Sequence, residues 1–293
     1  MIEIRDLQLL SALARHRHFA KAAEECGISQ PAFSMRIRNL EDRLGVSIVR
    51  RANRFQGLTE EGEMIVQRAR RILDDTKALE QQVLAAKGEI TGTLILGVIP
   101  TAIAFTGRLT KRLRDAHPRI VTRIETMSAT AIQHRLDEGS LDAGITYGDS
   151  IGTDLRQVQR LYEETYVLLV PSHMTDETGP IPWARVAEFP LSLLEPQMQN
   201  RRILDRIFAE QGLHPDIVAE TSGFTASMVM AREGLAATVI PRVLVRALGD
   251  LKDTRVLSLI EPVVSKPICL ATLTRDPELP TVAALRTVMA SLR

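Results

Sequence analysis

The sequence predicts an α/β chain with an all-α helix-turn-helix block at its N-terminus and two α/β lobes after it. Residues 1–59 have the pattern of short helices followed by a turn-rich basic segment, and residues 60–87 contain no proline and no glycine after Gly62. From Thr93 onward, β-branched runs alternate with helical segments, which is the rhythm of an open α/β sheet. A length of 293 residues suits two or three domains.

Composition is that of a globular protein and excludes several classes. Apolar residues make up 45% of the chain and charged residues 25%, as in an ordinary soluble globular protein. No stretch approaches the roughly 18 apolar residues of a membrane helix, and the N-terminus lacks an export signal, so we expect a cytoplasmic protein without a membrane partner. Cys26 and Cys269 are too few and too far apart for a disulfide scaffold or a thiolate site, and we expect no metal and no cofactor.

Charge is distributed unevenly along the chain. The net charge is +1, but residues 1–59 hold ten basic and six acidic side chains, whereas the remainder holds 27 basic and 30 acidic ones. A basic block on an acidic body indicates an anionic partner for the N-terminal block alone.

The N-terminal block predicts three helices. An apolar stripe at helical spacing marks the first helix. It consists of Leu7, Leu10, Leu13 and Ala14. The second helix spans 19–26 and ends at Gly27. Ser29 can cap the third helix with its hydroxyl, and Pro31 fits in that first turn because proline lacks only a donor that would be unpaired there. The tight link between these two helices is typical of a helix-turn-helix.

The outer face of the third helix suits the major groove of double-stranded DNA. Gln30 can pair with adenine, arginine with guanine, and an apolar group such as Met35 can contact the thymine methyl. The segment 50–57 is basic and turn-rich, so it could form a wing beside the backbone or in the minor groove. Each arginine alone could equally be a solvated surface charge, but the combination favours DNA. The predicted DNA-binding residues are Lys21, Ser29, Gln30, Pro31, Ser34, Met35, Arg36, Arg38, Arg50, Arg51 and Arg54.

An apolar series with alternating spacings of four and three follows the helix-turn-helix block. Its predicted dimerisation residues are Ile65, Ala69, Ile72, Leu79 and Val83. A stripe at this period needs a partner helix, although it could instead pack against its own domain. Two copies would place two recognition helices about one DNA turn (~34 Å) or a multiple apart, on a roughly palindromic site.

The remaining chain predicts a ligand cleft between two lobes. Strands near 93–99, 121–126 and 141–146 form the first lobe, and a second α/β unit begins at Tyr166. Loops after the first two strands present Thr101, Ser128 and Thr130 beside helix N-termini, where an anion is favoured. Two similar lobes suggest a small-molecule site between them.

The chain resembles the LysR-type transcriptional regulators over essentially its full length. The N-terminal part of the resemblance is carried by Phe19, Ala22, Ala23, 28–34, Ile37, Arg38, Leu40, Glu41, Leu44, Gly45, Arg51 and 58–62. A looser part is carried by Gly97, Pro100, Thr101, Leu136, 139–142, Pro196, Glu220, Gly234, Ile240 and Pro241. Met35 departs from the pattern, because the family usually has arginine after the recognition-helix serine.

The resemblance implies a winged helix-turn-helix over 1–59, a linker dimerisation helix over 60–88 and an effector-binding domain over 89–293. The effector domain resembles type II periplasmic binding proteins, with lobe I at about 89–162 and 266–293 and lobe II at about 163–265. Implied partners are promoter DNA, RNA polymerase, a small-molecule effector and further copies of the chain, as a homodimer or homotetramer.

The implied effector residues lie in loops that face the cleft in the resembled fold. They are Thr101, Ser128, Thr130, Tyr147, Gln197, Gln199, Asn200 and Thr221. Each serine or threonine could instead be a helix cap. Arg201 and Arg202 are the only basic residues near these loops, and we expect them to point outward. Neutral donors beside helix N-termini predict a small carboxylate or a neutral effector.

Two alternatives use the same lobes. An enzyme is disfavoured, because the sequence contains no GxGxxG, GxxxxGK[ST], GxSxG or HExxH motif. Its six histidines also lack the spacing of a ligand pair. A transport-type solute-binding protein is disfavoured by the missing export signal and by the first 87 residues. The sequence therefore favours a regulator that is not an enzyme.

Overall fold

The computed structural model describes residues 1–51, 55–86, 88–152, 156–249, 251–274 and 277–291. The chain divides into two compact units. The first comprises Met1–Glu89 with Pro277–Pro280, and the second comprises Ile90–Asp276 with Thr281–Arg293. Among the described helices, none is both long enough and apolar enough to cross a membrane.

The first unit is a winged helix-turn-helix followed by a long helix. Its elements are α1 (Ile4–His16), α2 (Phe19–Glu25), α3 (Gln30–Leu44), β1 (Val49–Arg51), β2 (Phe55–Leu58) and α4 (Glu60–Ala86). The Ser29 hydroxyl accepts a hydrogen bond from the Ala32 amide at 3.4 Å and caps α3 as predicted. Gly45 ends α3 in the left-handed region at φ 69°, where a side chain would be strained. Strands β1 and β2 pair antiparallel and form the wing.

The core of this unit joins α1, α2, α3 and the wing. Leu9, Leu10, Leu13, Phe33, Ile37 and Leu40 are fully buried. The ring of Phe19 packs edge-on against Phe33 at 6.0 Å and against Phe55 at 6.1 Å. Because Phe33 lies on α3 and Phe55 on β2, one side chain fixes the recognition helix and the wing together.

The second unit begins with a parallel βα arrangement. Lobe I contains β3 (Gly92–Val98), α5 (Ile103–Ala116), β4 (Ile120–Thr126), α6 (Ala129–Asp137) and β5 (Ala143–Tyr147). Strand β3 pairs in parallel with β4 and β5. Strand β12 (Ser265–Leu273) pairs antiparallel with β5, and α11 (Pro280–Ala290) follows it.

Lobe II is built on the long strand β6 (Arg156–Pro171). It also contains β7 (Ile181–Pro182), α7 (Trp183–Val186), β8 (Leu191–Leu194), α8 (Gln199–Glu210), β9 (Ile217–Thr221), α9 (Phe224–Arg232), β10 (Thr238–Pro241), α10 (Arg242–Leu248) and β11 (Thr254–Ile260). In the described residues the main sheet runs β4-β3-β5-β12-β6-β11-β7, with β10 also paired to β6. Strands β8 and β9 pair in parallel beside it. These elements confirm the predicted fold class.

Strand β6 joins the two lobes. Its residues up to Thr165 pair with β12, and from Tyr166 onward they pair with β10 and β11. The sequence predicted a strand only from Tyr166, because the preceding residues are polar and lack the continuous apolar run of a buried strand. The structure extends the strand back to Arg156, and β12 supplies the partner for that polar half.

Close contact between α6 and the sheet depends on a glycine in β5. A Cβ added to Gly144 would lie 2.4 Å from Ile132 Cγ2 on α6. We expect Gly144→Ala to lower the free energy of unfolding by about 1–3 kcal/mol through overpacking, which is roughly 2–4 °C in Tm per kcal/mol for a unit of this size. Thermal denaturation followed by circular dichroism measures the shift.

The matched control is Gly107→Ala within α5, where an added Cβ has no neighbour within 4 Å. Alanine is the better helix former by about 1 kcal/mol, so this variant should be at least as stable as the unsubstituted chain. Equal Tm values for the two variants would contradict the close α6–sheet contact.

Candidate DNA interface and effector site

The outer face of α3 presents free side chains to solvent. Gln30, Pro31, Met35 and Arg38 are exposed, with Met35 at 59%. Ser34 and Arg36 are half-buried, and a guanidinium nitrogen of Arg36 lies 3.5 Å from Glu3 Oε2. Met35 adds an exposed apolar group to this otherwise polar face. The face therefore combines hydrogen-bonding, cationic and apolar groups, as major-groove contact requires.

The remaining predicted DNA-binding residues flank this helix. Lys21 on α2 and Arg50 on β1 are exposed. The backbone of Arg51 belongs to β1, but its side chain and the whole of Arg54 lie outside the described residues.

The wing is anchored to α3 by the carboxylate of Glu41, a residue that the sequence indicated only as part of the family resemblance. Glu41 Oε1 accepts hydrogen bonds from the backbone amides of Ile48 at 2.8 Å and Val49 at 3.0 Å. Thr59 donates to the Ser47 carbonyl at 2.6 Å at the other end of the hairpin. These bonds set the wing relative to the recognition helix. A glutamate in the last turn of a helix is repelled by the partial negative charge of the helix C-terminus. Its presence there is therefore a sequence signal for a structural role such as this one.

The apolar series on α4 divides into two parts. Ile72, Leu79 and Val83 are 45%, 61% and 52% exposed. Ile65 packs against the core of the first unit, and Ala69 is 1% exposed. The first two residues therefore already have partners within the chain, whereas the last three form an exposed apolar stripe.

Thr101 and Tyr147 meet a buried carboxyl group that sequence reasoning missed. The Tyr147 hydroxyl donates to Glu164 Oε1 at 2.9 Å and lies 3.3 Å from Thr101 Oγ1. Glu164 is 1% exposed, and its Oε2 has no hydrogen-bond partner of good geometry among the described residues. Burial raises the pKa of Glu164 to about 7, while the hydrogen bond from Tyr147 and the nearby hydroxyls of Tyr166 and Thr101 act in the opposite direction. The sequence signal for this buried group was its spacing, because Tyr162, Glu164 and Tyr166 alternate along one strand and so share a face.

The other predicted effector residues have different environments. Ser128 caps α6 by accepting from the Ala131 amide at 3.2 Å, and Thr130 is exposed. Gln197 is exposed and donates to Glu195, and Gln199 is half-buried as the first residue of α8.

Two more predicted effector residues are buried in lobe II. Asn200 is 3% exposed, and neither atom of its amide has a partner among the described residues. Thr221 instead lies 3.0 Å from the Ser227 hydroxyl and donates to the Gly223 carbonyl at 3.1 Å. Buried amides are normally hydrogen-bonded, so Asn200 is the stronger candidate for contact with a ligand or water.

The prediction that Arg201 points outward is wrong. Its side chain is buried and donates to the Leu194 carbonyl at 2.9 Å, Glu220 Oε1 at 2.8 Å and Asp205 Oδ1 at 2.8 Å. Because a guanidinium must keep its hydrogen bonds when buried, it joins α8 to β9 and is not offered to a ligand. Arg202 donates to the Gln197 carbonyl from an exposed position.

A cavity of about 470 Å³ opens between the two lobes. From lobe I it is lined by Pro100, Ile103, Ala104 and Thr126, and from lobe II by residues of α9, of α10 and of the segment after α10. Its apolar wall includes Phe224, Met228, Leu244, Leu248 and Leu251. The predicted effector residues do not line it, but Pro100 precedes Thr101 in the chain. Its volume lies in the range of pockets that hold small organic ligands, about 300–1,000 Å³.

Both units match known protein families. The family described as "Bacterial regulatory helix-turn-helix protein, lysR family" matches residues 4–63, and the family described as "LysR substrate binding domain" matches residues 87–292. The two matches together cover nearly the whole chain.

Individual relatives match along most of their length. A hydrogen peroxide-inducible genes activator of Haemophilus influenzae is 29% identical over 280 residues, which is 92% of this chain and 90% of that protein. A RuBisCO operon transcriptional regulator of Allochromatium vinosum is 28% identical over 211 residues, which is 72% of this chain and 70% of that protein.

Solved structures show the same fold. A variant of full-length OxyR from Pseudomonas aeruginosa aligns with a TM-score of 0.76 at 24% identity, covering 100% of this chain and 95% of that one. Full-length CbnR in complex with its target DNA aligns with a TM-score of 0.67 at 20% identity, covering 100% of both chains.

Proposed function

This chain belongs to the LysR family of DNA-binding transcriptional regulators, and we propose that it acts as a dimer or tetramer whose effector is a small apolar carboxylate bound between the two lobes. The cavity between the lobes carries this proposal, because it supplies an apolar wall next to strand-end loops that carry neutral donors. RNA polymerase is the further partner that regulation of transcription requires.

DNA contact is assigned to α3 and the wing. Gln30 and Arg38 are exposed at different turns of α3, so both reach a groove that α3 enters. Met35 stands between them and suits a thymine methyl group. Lys21 and Arg50 suit phosphates, which position the protein without reading sequence.

Assembly is assigned to α4. The three exposed apolar side chains Ile72, Leu79 and Val83 repeat at spacings of seven and four residues, which is the pattern of a coiled-coil seam. A second copy of the helix would cover them. Two linked recognition helices then require a roughly palindromic DNA site.

The effector is inferred from the lining of the cavity. Its walls are mostly apolar, so the body of the ligand is apolar. Thr126 and Thr225 contribute hydroxyls, and Arg232 is at the exposed end of α9, 3.3 Å from Glu233. We place the carboxylate at the lobe I end of the cavity, where Pro100 and Thr126 line it and the loops after β3 and β4 carry Thr101 and Ser128 next to them in the chain. A small aliphatic or aromatic carboxylic acid fits this description and volume.

The role in the name of the Haemophilus relative is not carried over to this chain. Peroxide sensing through a thiol needs an accessible thiolate of low pKa. Burial raises the pKa of Cys26 and of Cys269, and Cys269 is also buried in β12. Both of the chain's cysteines therefore favour reversible ligand binding over thiol oxidation as the signal.

The DNA assignment predicts the effect of Gln30→Ala. Loss of a bidentate contact to adenine should cost about 1–3 kcal/mol at the preferred site and relax base preference at one position of each half-site. Selection from a random duplex library, followed by titration of the selected sites, measures both effects. Gln67→Ala, at an exposed glutamine of α4, is the control and should keep the original profile. An unchanged profile for Gln30→Ala would remove this residue from base recognition.

The assembly proposal predicts that Leu79→Glu abolishes dimerisation, because two carboxylates would face each other in an apolar seam. Leu79 is 61% exposed in the single chain, so the substitution should leave the fold intact. Sedimentation velocity at micromolar concentration should show monomers, while Gln67→Glu, on the opposite face of α4, remains dimeric. A dimeric Leu79→Glu variant would place the interface elsewhere.

The effector proposal is tested with benzoate and hexanoate as probes. Each should raise the Tm of the full chain, because binding to the folded state stabilises it. Val229→Asp puts a negative charge at the cavity lining and should abolish the shift. Val218→Asp is the matched control, since Val218 on β9 is 46% exposed, Val229 is 45% exposed, and only Val229 lines the cavity. Equal shifts in both variants would argue against this cavity as the effector site.

A further inference from the structure

Three groups from separate elements form a buried polar cluster beside the proposed effector site. Thr101 lies in the turn after β3, Tyr147 ends β5, and Glu164 lies on β6 just before that strand changes partners. The Tyr147 hydroxyl contacts both Glu164 and Thr101, at 2.9 and 3.3 Å. The cluster therefore connects the effector loop of lobe I to the strand that leads into lobe II.

We propose that Glu164 determines which charge the effector site accepts, and that an anion binds at Thr101 only with uptake of a proton by Glu164. This inference rests on the proposed function, in which the effector carboxylate contacts Thr101. It adds a residue that controls specificity and a dependence of effector affinity on pH.

Competition for a hydroxyl proton is the physical basis. When Glu164 is ionised, the Tyr147 hydroxyl donates its only proton to Glu164 Oε1 at 2.9 Å, so in the 3.3 Å contact with Tyr147 the Thr101 hydroxyl must be the donor. The Thr101 hydroxyl has one proton and cannot donate it to Tyr147 and to an effector carboxylate together. A protonated Glu164 can donate to Tyr147 instead, Tyr147 can then donate to Thr101, and the Thr101 proton becomes available to the anion.

Electrostatic repulsion acts in the same direction. An anion on Thr101 would be separated from Glu164 by the hydroxyl groups of Thr101 and Tyr147, and two buried carboxylates at that separation cannot both remain ionised at low cost. A neutral Glu164 removes this repulsion.

The groups that face Glu164 include no paired cation among the described residues. From β5 it meets Tyr147, from its own strand Tyr162 and Tyr166, and from the turn after β3 it meets Thr101. Lys266 is opposite Glu164 in the β12 register, but its ammonium group lies 3.3 Å from Asp149.

The charge of Glu164 changes near neutrality. Burial raises its pKa to about 7 from the ordinary 4.5, so the folded protein retains a proton that the unfolded chain releases. This residue therefore contributes fully to stability below pH 4.5. The contribution decreases as the pH rises from 4.5 and is lost once the pH passes 7.

The test compares benzoate with benzamide, its neutral counterpart, by calorimetric titration of the full-length protein at pH 6 and pH 8. Benzoate is ionised at both values. Its affinity should fall about tenfold from pH 6 to pH 8, as the protonated fraction of Glu164 falls, whereas benzamide should bind equally at both. In Glu164→Gln, which keeps an acceptor for Tyr147, benzoate should bind equally at both values. Glu163→Gln, at the exposed neighbouring residue, should behave like the unsubstituted chain.

Each outcome decides the inference. Equal benzoate affinity at pH 6 and pH 8 in the unsubstituted chain, or a tenfold fall that persists in Glu164→Gln, would overturn it. Failure of benzoate to bind any variant at either pH would count against the proposed apolar carboxylate instead.

In that case the protein without ligand still tests Glu164. Its Tm should fall from pH 5 to pH 8 relative to that of Glu164→Gln. The infrared band of a protonated carboxyl group should disappear over the same range, and only in chains that keep Glu164. Parallel Tm profiles together with no such band would overturn the inference.

Discussion

Both lobes of the second unit are built on one strand, and this constraint determines where its chemistry can occur. Strand β6 pairs with β12 through Thr165 and with β10 and β11 from Tyr166 onward. Because this single strand contributes to the part of the sheet in each lobe, relative movement of the lobes must bend or twist it. The cavity lies between elements of the two lobes, and Glu164 lies on β6 immediately before the change. A charge change at Glu164 therefore acts at the joint itself.

In the first unit, the constraint is that the recognition helix α3 and the wing hairpin must keep one relative orientation. Phe19 contacts both through its ring, and Glu41 accepts hydrogen bonds from two backbone amides at the start of the hairpin. Because these contacts stabilise the unit, the exposed side chains of α3 are not needed for packing, and Gln30, Met35 and Arg38 lie outside the core. Apart from Ser29, which also caps α3, the residues that support the interface and those that would contact DNA are thus separate sets.

Sequence patterns were sufficient for most of the first unit and for the βα rhythm of the second. Caps, terminating glycines and apolar stripes are local signals, so α1 to α4 and the parallel strands follow from neighbouring residues. The first half of β6 was missed because its polar residues depend on β12, about a hundred residues later. Arg201 was misjudged for a related reason, since its partners Leu194 and Glu220 lie on two strands whose pairing no local pattern shows. The cavity was also beyond sequence reasoning, because α5, α9 and α10 meet only in the folded chain.

The way in which a regulator of this fold can sense its signal depends on which of its groups change state near neutral pH. A thiol of low pKa would permit covalent sensing, but burial makes both cysteines of this chain poorer nucleophiles. A carboxyl group with a pKa of about 7 permits a different mode, because binding of an anion and binding of a proton then favour each other. The link is reciprocal, so acidification alone would prepare the site for its anion. Glu164 lies on the strand that joins the lobes, and Tyr147 connects it to the loop that would hold the effector, so in the proposed mechanism one proton links effector binding to this strand.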